Sequence, residues 1–387
     1  MRVARVITRL NRGGPARTLL AVEPLLREMG VESLLLAGET EPGEEDLTDH
    51  FERAGIAVRR IPGLVRSIRP FADLAVRRRV ARELDDFAPD LVHTHTFKSG
   101  WVGRTAATKR PFRRVHTFHG HLFEGAFPGP IGRLLAATER RLARRTDLLI
   151  AVSERVRADL CDRWRVAPRE RTAVLPGVLL PELSVPATSA ERAAARARLL
   201  PAVGPWLGTL ARLTKVKAPL FVLDVMAELR RRRRDARFAW VGDGDLRDRF
   251  LGEVARRGLS ESVRFVGWQH DVRAWHLALD LELLLSDQEG LPLSLIEATA
   301  LRVPVVATAV GGVPELVRDG VDGRLVPPRD VRAAADAIGE LLEVPRERSI
   351  ATRAPPPPTR RALSPADHAR RLRDLYEQVL AQPAIAA

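Results

Sequence analysis

A chain of 387 residues is long enough for two domains of about 100–200 residues each, and its 45% hydrophobic and 29% charged residues are those of a globular protein rather than a disordered one. The formal net charge of +14 invites nucleic acid, but Lys stands only at positions 98, 109, 215 and 217. The positive charge is therefore Arg spread over both halves, with only 5% aromatics and no zinc-finger, helix-turn-helix or single-strand-binding pattern, which argues against nucleic acid.

No apolar run of about 18 residues and no signal peptide can be read, which predicts a cytoplasmic protein. The single Cys161 excludes an intrachain disulfide and any Cys-x-x-Cys site, and reads as a partly buried helix residue.

In chain order, Val3 to Thr8 predicts an opening strand. Asn11-Arg-Gly-Gly-Pro15 predicts a glycine turn into a helix with apolar residues at Leu19, Leu20, Leu25 and Leu26. A helix start presents free amides and the positive end of its dipole, so Gly13 and Gly14 are candidate binding residues. Strand-like runs follow at Ser33 to Leu36, Ala57 to Ile61, Asp90 to His95, Arg114 to Phe118, Leu148 to Val152 and Ala173 to Leu175, separated mostly by helical patterns. That alternation predicts a parallel doubly wound sheet.

Five histidines, His93, His95, His116, His119 and His121, fall near two of these strand ends. His93-x-His95 after a strand is similar to the first metal ligands of amidohydrolase barrels, with the other three as further ligands. Alternatively, imidazoles at strand ends meet a hydroxylated substrate, donating hydrogen bonds or exchanging protons. The second reading is preferred, because a barrel enzyme would carry its His-x-His near the start of about 250 residues and leave the 289–315 region without a role.

The helix predicted from Ile131 to Arg145 is amphipathic and basic, with Arg133, Arg140, Arg141, Arg144 and Arg145 either solvated or resting on an anionic membrane surface. Residues 179–204, rich in Pro, Ala and Ser with an Ala/Arg helix inside, read as a linker between a first domain (1–178) and a second (205–363). In the second, Arg212 and Lys217 follow a strand starting at Trp206, where a pyrophosphate needs countercharge. Arg grips such a group bidentately and Lys acts as a point charge. Phe238 to Val241 is a strand entering a glycine turn with Asp243-x-Asp245. Val263 to Gly267 supplies another strand end.

Leu281 to Leu285 predicts a buried strand, Gly290 a tight turn, and Pro292 the first residue of a helix whose amides face outward beyond the strand's carboxyl end. Phosphates bind there in open parallel sheets. Glu289 on the turn and Glu297 on the helix then offer two carboxylate acceptors beside anion-binding amides, a pairing suited to a sugar joined to a nucleotide diphosphate. Beyond them come a helix from Asp330 to Leu342, a disordered-looking stretch at 354–359, and a last helix within 364–387.

Glu289-Gly-Leu-Pro-x4-Glu297, followed by Val303-Pro-Val-Val-Ala-Thr308 and Gly311-Gly-Val-Pro-Glu315, resembles the Glu-x7-Glu region of retaining GT-B glycosyltransferases of family 4. Arg212-Leu-x3-Lys217 matches the family's Gly-Arg-Leu-x3-Lys, with Ala211 replacing the glycine. Thr117-Phe-His119-Gly is similar to its histidine loop. The Val241-Gly-Asp-Gly244 wording resembles the family's second domain, whose members work without a bound metal, so Asp243-x-Asp245 is not read as the metal site of the other large glycosyltransferase fold.

The resemblance implies an α/β GT-B architecture, two doubly wound parallel-sheet domains facing across a cleft, with the last helix returning to the first domain. It implies retaining transfer of a sugar from a nucleotide diphosphate sugar, a UDP-sugar, to a sugar or lipid-linked acceptor in cell-surface polysaccharide or glycolipid synthesis, with no metal and no further cofactor. The protein would then be cytoplasmic or peripheral on the inner membrane face. The resemblance gives Glu289 the sugar hydroxyls, Glu297 the ribose, and His119 the sugar or leaving group. Gly13, Gly14, Arg212, Lys217, Gly290, Leu291 and Leu293 complete the donor site. The alternatives are a nucleotide-sugar epimerase of similar fold and a metal-dependent amidohydrolase.

Overall fold

A computed structural model describes residues 1–41, 44–120, 129–201, 204–232, 235–343 and 362–383. His121 and the proline-rich 354–359 stretch lie outside them. The chain divides into two compact units, Met1–Val178 with the segment from Leu363 onward, and Leu179–Ala362.

The first unit carries strands β1 (Arg2–Ile7), β2 (Glu32–Ala37), β3 (Ala57–Arg60), β4 (Leu91–His95), β5 (Arg113–Phe118), β6 (Leu148–Ala151) and β7 (Thr172–Val174). They form one sheet in the order β3-β2-β1-β4-β5-β6-β7, parallel at every pairing. Its helices are α1 (Gly14–Glu28), α2 (Thr48–Arg53), α3 (Pro70–Phe87), α4 (Phe97–Arg104), α5 (Pro130–Ala143) and α6 (Glu154–Ala158). α6 runs on into a single π turn that holds a part-buried Cys161. Proline opens α1, α3 and α5, where its missing N–H costs nothing.

β2 and β6 read as nearly unbroken apolar runs because helices cover both faces of a parallel sheet. Val3, Leu91, Val115 and Ile150 pack under α1, and Ala4, Val6 and Val92 pack under α3.

The second unit carries α7 (Pro181–Ser184), α8 (Ser189–Leu199), β8 (Trp206–Leu210), α9 (Pro219–Arg231), β9 (Arg237–Val241), α10 (Arg247–Arg256), β10 (Val263–Gly267), α11 (Val272–Ala278), β11 (Leu281–Leu284), α12 (Leu293–Ala300), β12 (Val305–Thr308), α13 (Val313–Leu316), β13 (Gly323–Val326) and α14 (Val331–Leu342). Its sheet runs β10-β9-β8-β11-β12-β13, again parallel. The stretch expected as a linker holds α7 and α8. A capping box between Thr188 and Glu191 starts α8, and Ala195 and Leu200 are buried with Trp206 and Trp275.

The last helix, α15 (Pro365–Ala381), packs on α1 in the first unit, burying Leu372, Tyr376 and Val379.

Each sheet reverses its winding once, between β1 and β4 in the first unit and between β8 and β11 in the second. At such a switch point adjacent strands send their loops to opposite sides and leave a crevice beyond their carboxyl ends, where open α/β sheets bind ligands.

Candidate functional site

In the second unit the loops after β8, β9, β11 and β12 are tied to one another through backbone bonds. Leu213 N donates to Asp243 O at 3.0 Å, Leu246 N to Leu213 O at 3.1 Å, Asp287 N to Val216 O at 2.9 Å and Gly312 N to Gly290 O at 3.0 Å. Arg212 is half-buried in the first of these loops, and Lys217 closes a single 3-10 turn. The two residues thus lie on one side of the switch point and Glu289 on the other. Lys217 Nζ bonds Glu289 Oε1 at 2.6 Å, and the Glu289 side chain is only 8% exposed. The sequence reading placed Lys217 on a pyrophosphate and Glu289 on a sugar without foreseeing that each is the other's partner.

Two local expectations shift. Pro292 is the residue before α12, extended at φ −71 and ψ 121, so Leu293 supplies the first helical turn. The left-handed backbone falls at Gly311 (φ +50) rather than at Gly290, and a Cβ on Gly311 would stand 1.7 Å from Glu289 O. The Gly311-Gly312 pair is there because the loop after β12 rests directly on the Glu289-Gly290 turn. Leu291 and Leu293 are half-exposed and pack against the core beneath α12. The amides of that helix's first turn have no intrahelical acceptor. Asp243 caps its own turn, accepting from Gly244 N at 2.8 Å, and also pairs with Arg247.

Glu297 departs furthest from expectation. It is 3% exposed, and its Oε2 lies 3.2 Å from His276 Nε2, while His276 Nδ1 lies 2.7 Å from Glu282 Oε2. Burial disfavours a charged imidazole, but Glu282 and then Glu297 outweigh it and raise His276 to about 9. His276 and Glu282 were missed. Their signal was a glutamate inside the apolar run Leu281 to Leu285, where an acid is stable only with a partner.

In the first unit, Gly13 precedes α1 in extended conformation and Gly14 is its first residue. Asn11 Oδ1 accepts from Gly13 N at 3.1 Å while Asn11 Nδ2 donates to Glu44 at 2.8 Å. Arg9 pairs with Glu41 and Glu44, and Arg12 with Glu45, so an acidic segment not singled out from the sequence braces this glycine loop.

The histidines divide by strand face. His93 and His95 share one face, their rings 4.2 Å apart, and His95 Nδ1 lies 3.2 Å from His119 Nε2. His93 Nδ1 faces Tyr376 Oη (2.6 Å) and Arg5 (3.1 Å), and Nε2 faces Thr117 Oγ1 (2.7 Å). His116 points to the other face and meets Thr94 Oγ1 at 2.8 Å. Burial first, then neighbouring cations and histidines, holds His93, His95 and His116 well below the usual range, and burial lowers His119 to about 4. These rings are neutral hydrogen-bonding groups at neutral pH. Among the described residues no three His, Cys, Asp or Glu side chains converge as metal ligands, and no helix is long and apolar enough to cross a membrane.

Residues 204–344 match the family described as Glycosyl transferases group 1, and residues 12–179 match Glycosyltransferase Family 4. The chain is 35% identical over 279 residues to a D-inositol 3-phosphate glycosyltransferase of Frankia alni, covering 67% of each. It is 34% identical over 276 residues to the protein of the same name from Salinispora arenicola, covering 65% of this chain and 61% of that one. The chain thus spans about two thirds of the length of the first relative and less of the second. In fold it is similar to Anabaena HepE solved with UDP-glucose, at a TM-score of 0.81 and 21% identity over 98% of this chain and 100% of that one. Neither the epimerase nor the amidohydrolase alternative draws support from these matches.

Proposed function

Because the chain belongs to the family 4 glycosyltransferases, which have the GT-B fold, we propose that it transfers a sugar from a UDP-sugar to an acceptor hydroxyl, retaining the anomeric configuration and working without a metal. The observation that carries this reading is the convergence of Arg212, Lys217, Glu289 and the α12 amides at the β8/β11 switch point. Leaving-group charge develops on the diphosphate, and cations and amides fixed beforehand stabilise it without reorganising. Glu289, held by Lys217, accepts from sugar hydroxyls, and Glu297 accepts from the ribose. His119, neutral at pH 7, hydrogen-bonds the sugar or the leaving group.

That HepE was solved with UDP-glucose supports uridine as the donor base. The test is a thermal-shift and calorimetric series of UDP, GDP, ADP and uridine. UDP is expected to bind, with uridine much weaker. Stabilisation by none of the nucleotides would overturn the reading.

The proposed acceptor is a sugar or a lipid-linked sugar, and the proposed setting is the inner face of an anionic membrane. Supporting this are exposed apolar side chains at two helix starts of the first unit, Ile68, Phe71 (90% exposed) and Leu74 at α3, and Ile131 and Leu134 at α5. Arg133, Arg140, Arg141, Arg144 and Arg145 are all exposed along or just after α5. From Arg66 to Arg82 the only acid is Asp73, which is buried against Lys98 at 2.5 Å. Apolar tips flanked by unopposed arginines suit a lipid headgroup layer.

A further inference from the structure

β11 is a core strand, with Leu281, Leu283 and Leu284 fully enclosed, yet it also encloses Glu282 at 0% exposure. The imidazole of His276, equally enclosed in α11, stands between this carboxylate and that of Glu297 on α12, one ring nitrogen to each at 2.7 and 3.2 Å. A neutral imidazole has one N–H, so donating to both carboxylates at once requires the doubly protonated ring. Among the described residues no other charged side chain is hydrogen-bonded to it. β8 beside it carries no ionisable side chain, and α8, packed on α11, sends Arg196 to the Ala278 carbonyl and to Asp280. A buried carboxylate–imidazolium–carboxylate row is a poor way to gain stability, since apolar side chains of similar volume in its place are often neutral or better. Its effect is to fix a direction.

Resting on the donor reading above, we propose that His276, itself anchored by Glu282, is a positioning residue that holds one oxygen of Glu297. The other oxygen is then aimed to accept from the ribose hydroxyls of the donor. Only the second glutamate of the pair is served this way, Glu289 being held by Lys217. The two carboxylates are thus oriented by different cations, one part-buried and one fully enclosed.

The test compares UDP with 2′,3′-dideoxy-UDP by calorimetry, a pair differing only in the hydroxyls at issue. The parent is expected to prefer UDP about tenfold, the worth of a hydrogen bond to a charged group. The paired variant His276→Leu/Glu282→Leu, which removes one cation and one anion together, is expected to bind UDP only as well as the dideoxy ligand. Its dideoxy affinity should be unchanged. In the parent, the preference should fade as pH rises through about 9, where His276 loses its proton. Both ligands carry the same base, so base ionisation cancels. This titration needs no variant and decides the matter even if the double substitution fails to fold.

A preference that persists in the folded double variant, equal loss of both ligands, or a preference flat to pH 10.5 overturns the role of His276 while leaving the donor reading standing. A parent that does not bind UDP, or does not distinguish the two ligands, overturns the donor reading itself.

Discussion

Gly311→Ala tests whether the loop after β12 sets the position of the Glu289-Gly290 turn. The new methyl would lie 1.7 Å from Glu289 O, and real contacts of this kind stay above 3.0 Å, so one loop must yield by about 1.3 Å. Holding alanine at φ +50 adds roughly 1 kcal/mol. Forcing the backbone apart in a packed region adds about 1–3 kcal/mol more. A displacement near 1 Å at a site that depends on geometry costs about 100-fold, so UDP affinity should fall between about 10- and 100-fold.

Gly320→Ala separates strain from displacement. It has the same sign of φ (+74), but its Cβ would meet nothing nearer than Arg324 Nη1 at 4.0 Å. Thermal unfolding should therefore show both variants destabilised, with the UDP isotherm altered only for Gly311→Ala. Parent-like affinity in Gly311→Ala, or an equal loss in Gly320→Ala, would refute the reasoning.

Arg212→Ala should weaken UDP by about tenfold and leave uridine unchanged, because only the diphosphate feels the lost cation; isothermal titration of both ligands checks this. Turnover with a chelator should equal turnover without one, read as UDP release, and activity restored only by manganese or zinc would reopen the metal readings.

The two units should respond to pH in opposite directions. His119 and His368 are lowered to about 4 from an ordinary 6.5, so their contribution is present above about pH 6.5 and is lost as pH falls through 4, the unfolded chain taking up the protons first. His276 is raised to about 9, so its contribution is whole below 6.5 and is lost as pH rises through 9. Hydrogen exchange followed by peptide mass spectrometry should show the first unit opening earlier in acid and α11 and α12 earlier in base. Sedimentation with anionic vesicles should carry down the parent at low salt but not Phe71→Ser/Leu74→Ser/Leu134→Ser. Equal sedimentation would remove these tips from the membrane reading.

The sheets were legible in the sequence because short strand-like runs rich in Val, Leu and Ile alternate with helical patterns at regular intervals. All six strand-like runs predicted after the opening strand appear within a residue or two in β2 to β7. The strand-end positions of Arg212, Lys217 and Glu289 were likewise readable from spacing. What was not readable is pairing across distance. Lys217 and Glu289 are 72 positions apart, and Arg5 and His93 are 88 apart, yet each pair shares a hydrogen bond. Nothing local to either partner records it. The reading of residues 179–204 included the helix inside the stretch, but not its capping box of Thr188 and Glu191 or the burial of Ala195 and Leu200 with Trp206 and Trp275.

The docking of α15 has a consequence for synthesis. Tyr376 supplies a hydroxyl to His93, and the same helix buries Leu372 and Val379 beneath α1. Until residues 365–381 leave the ribosome, the first unit has an uncovered apolar face and a buried-to-be Arg5 and His93 short of a neighbour. The unit that begins the chain is therefore completed only after the second has been made. During that interval of elongation it is the half that holds exposed apolar surface and is open to misassociation and chaperone capture.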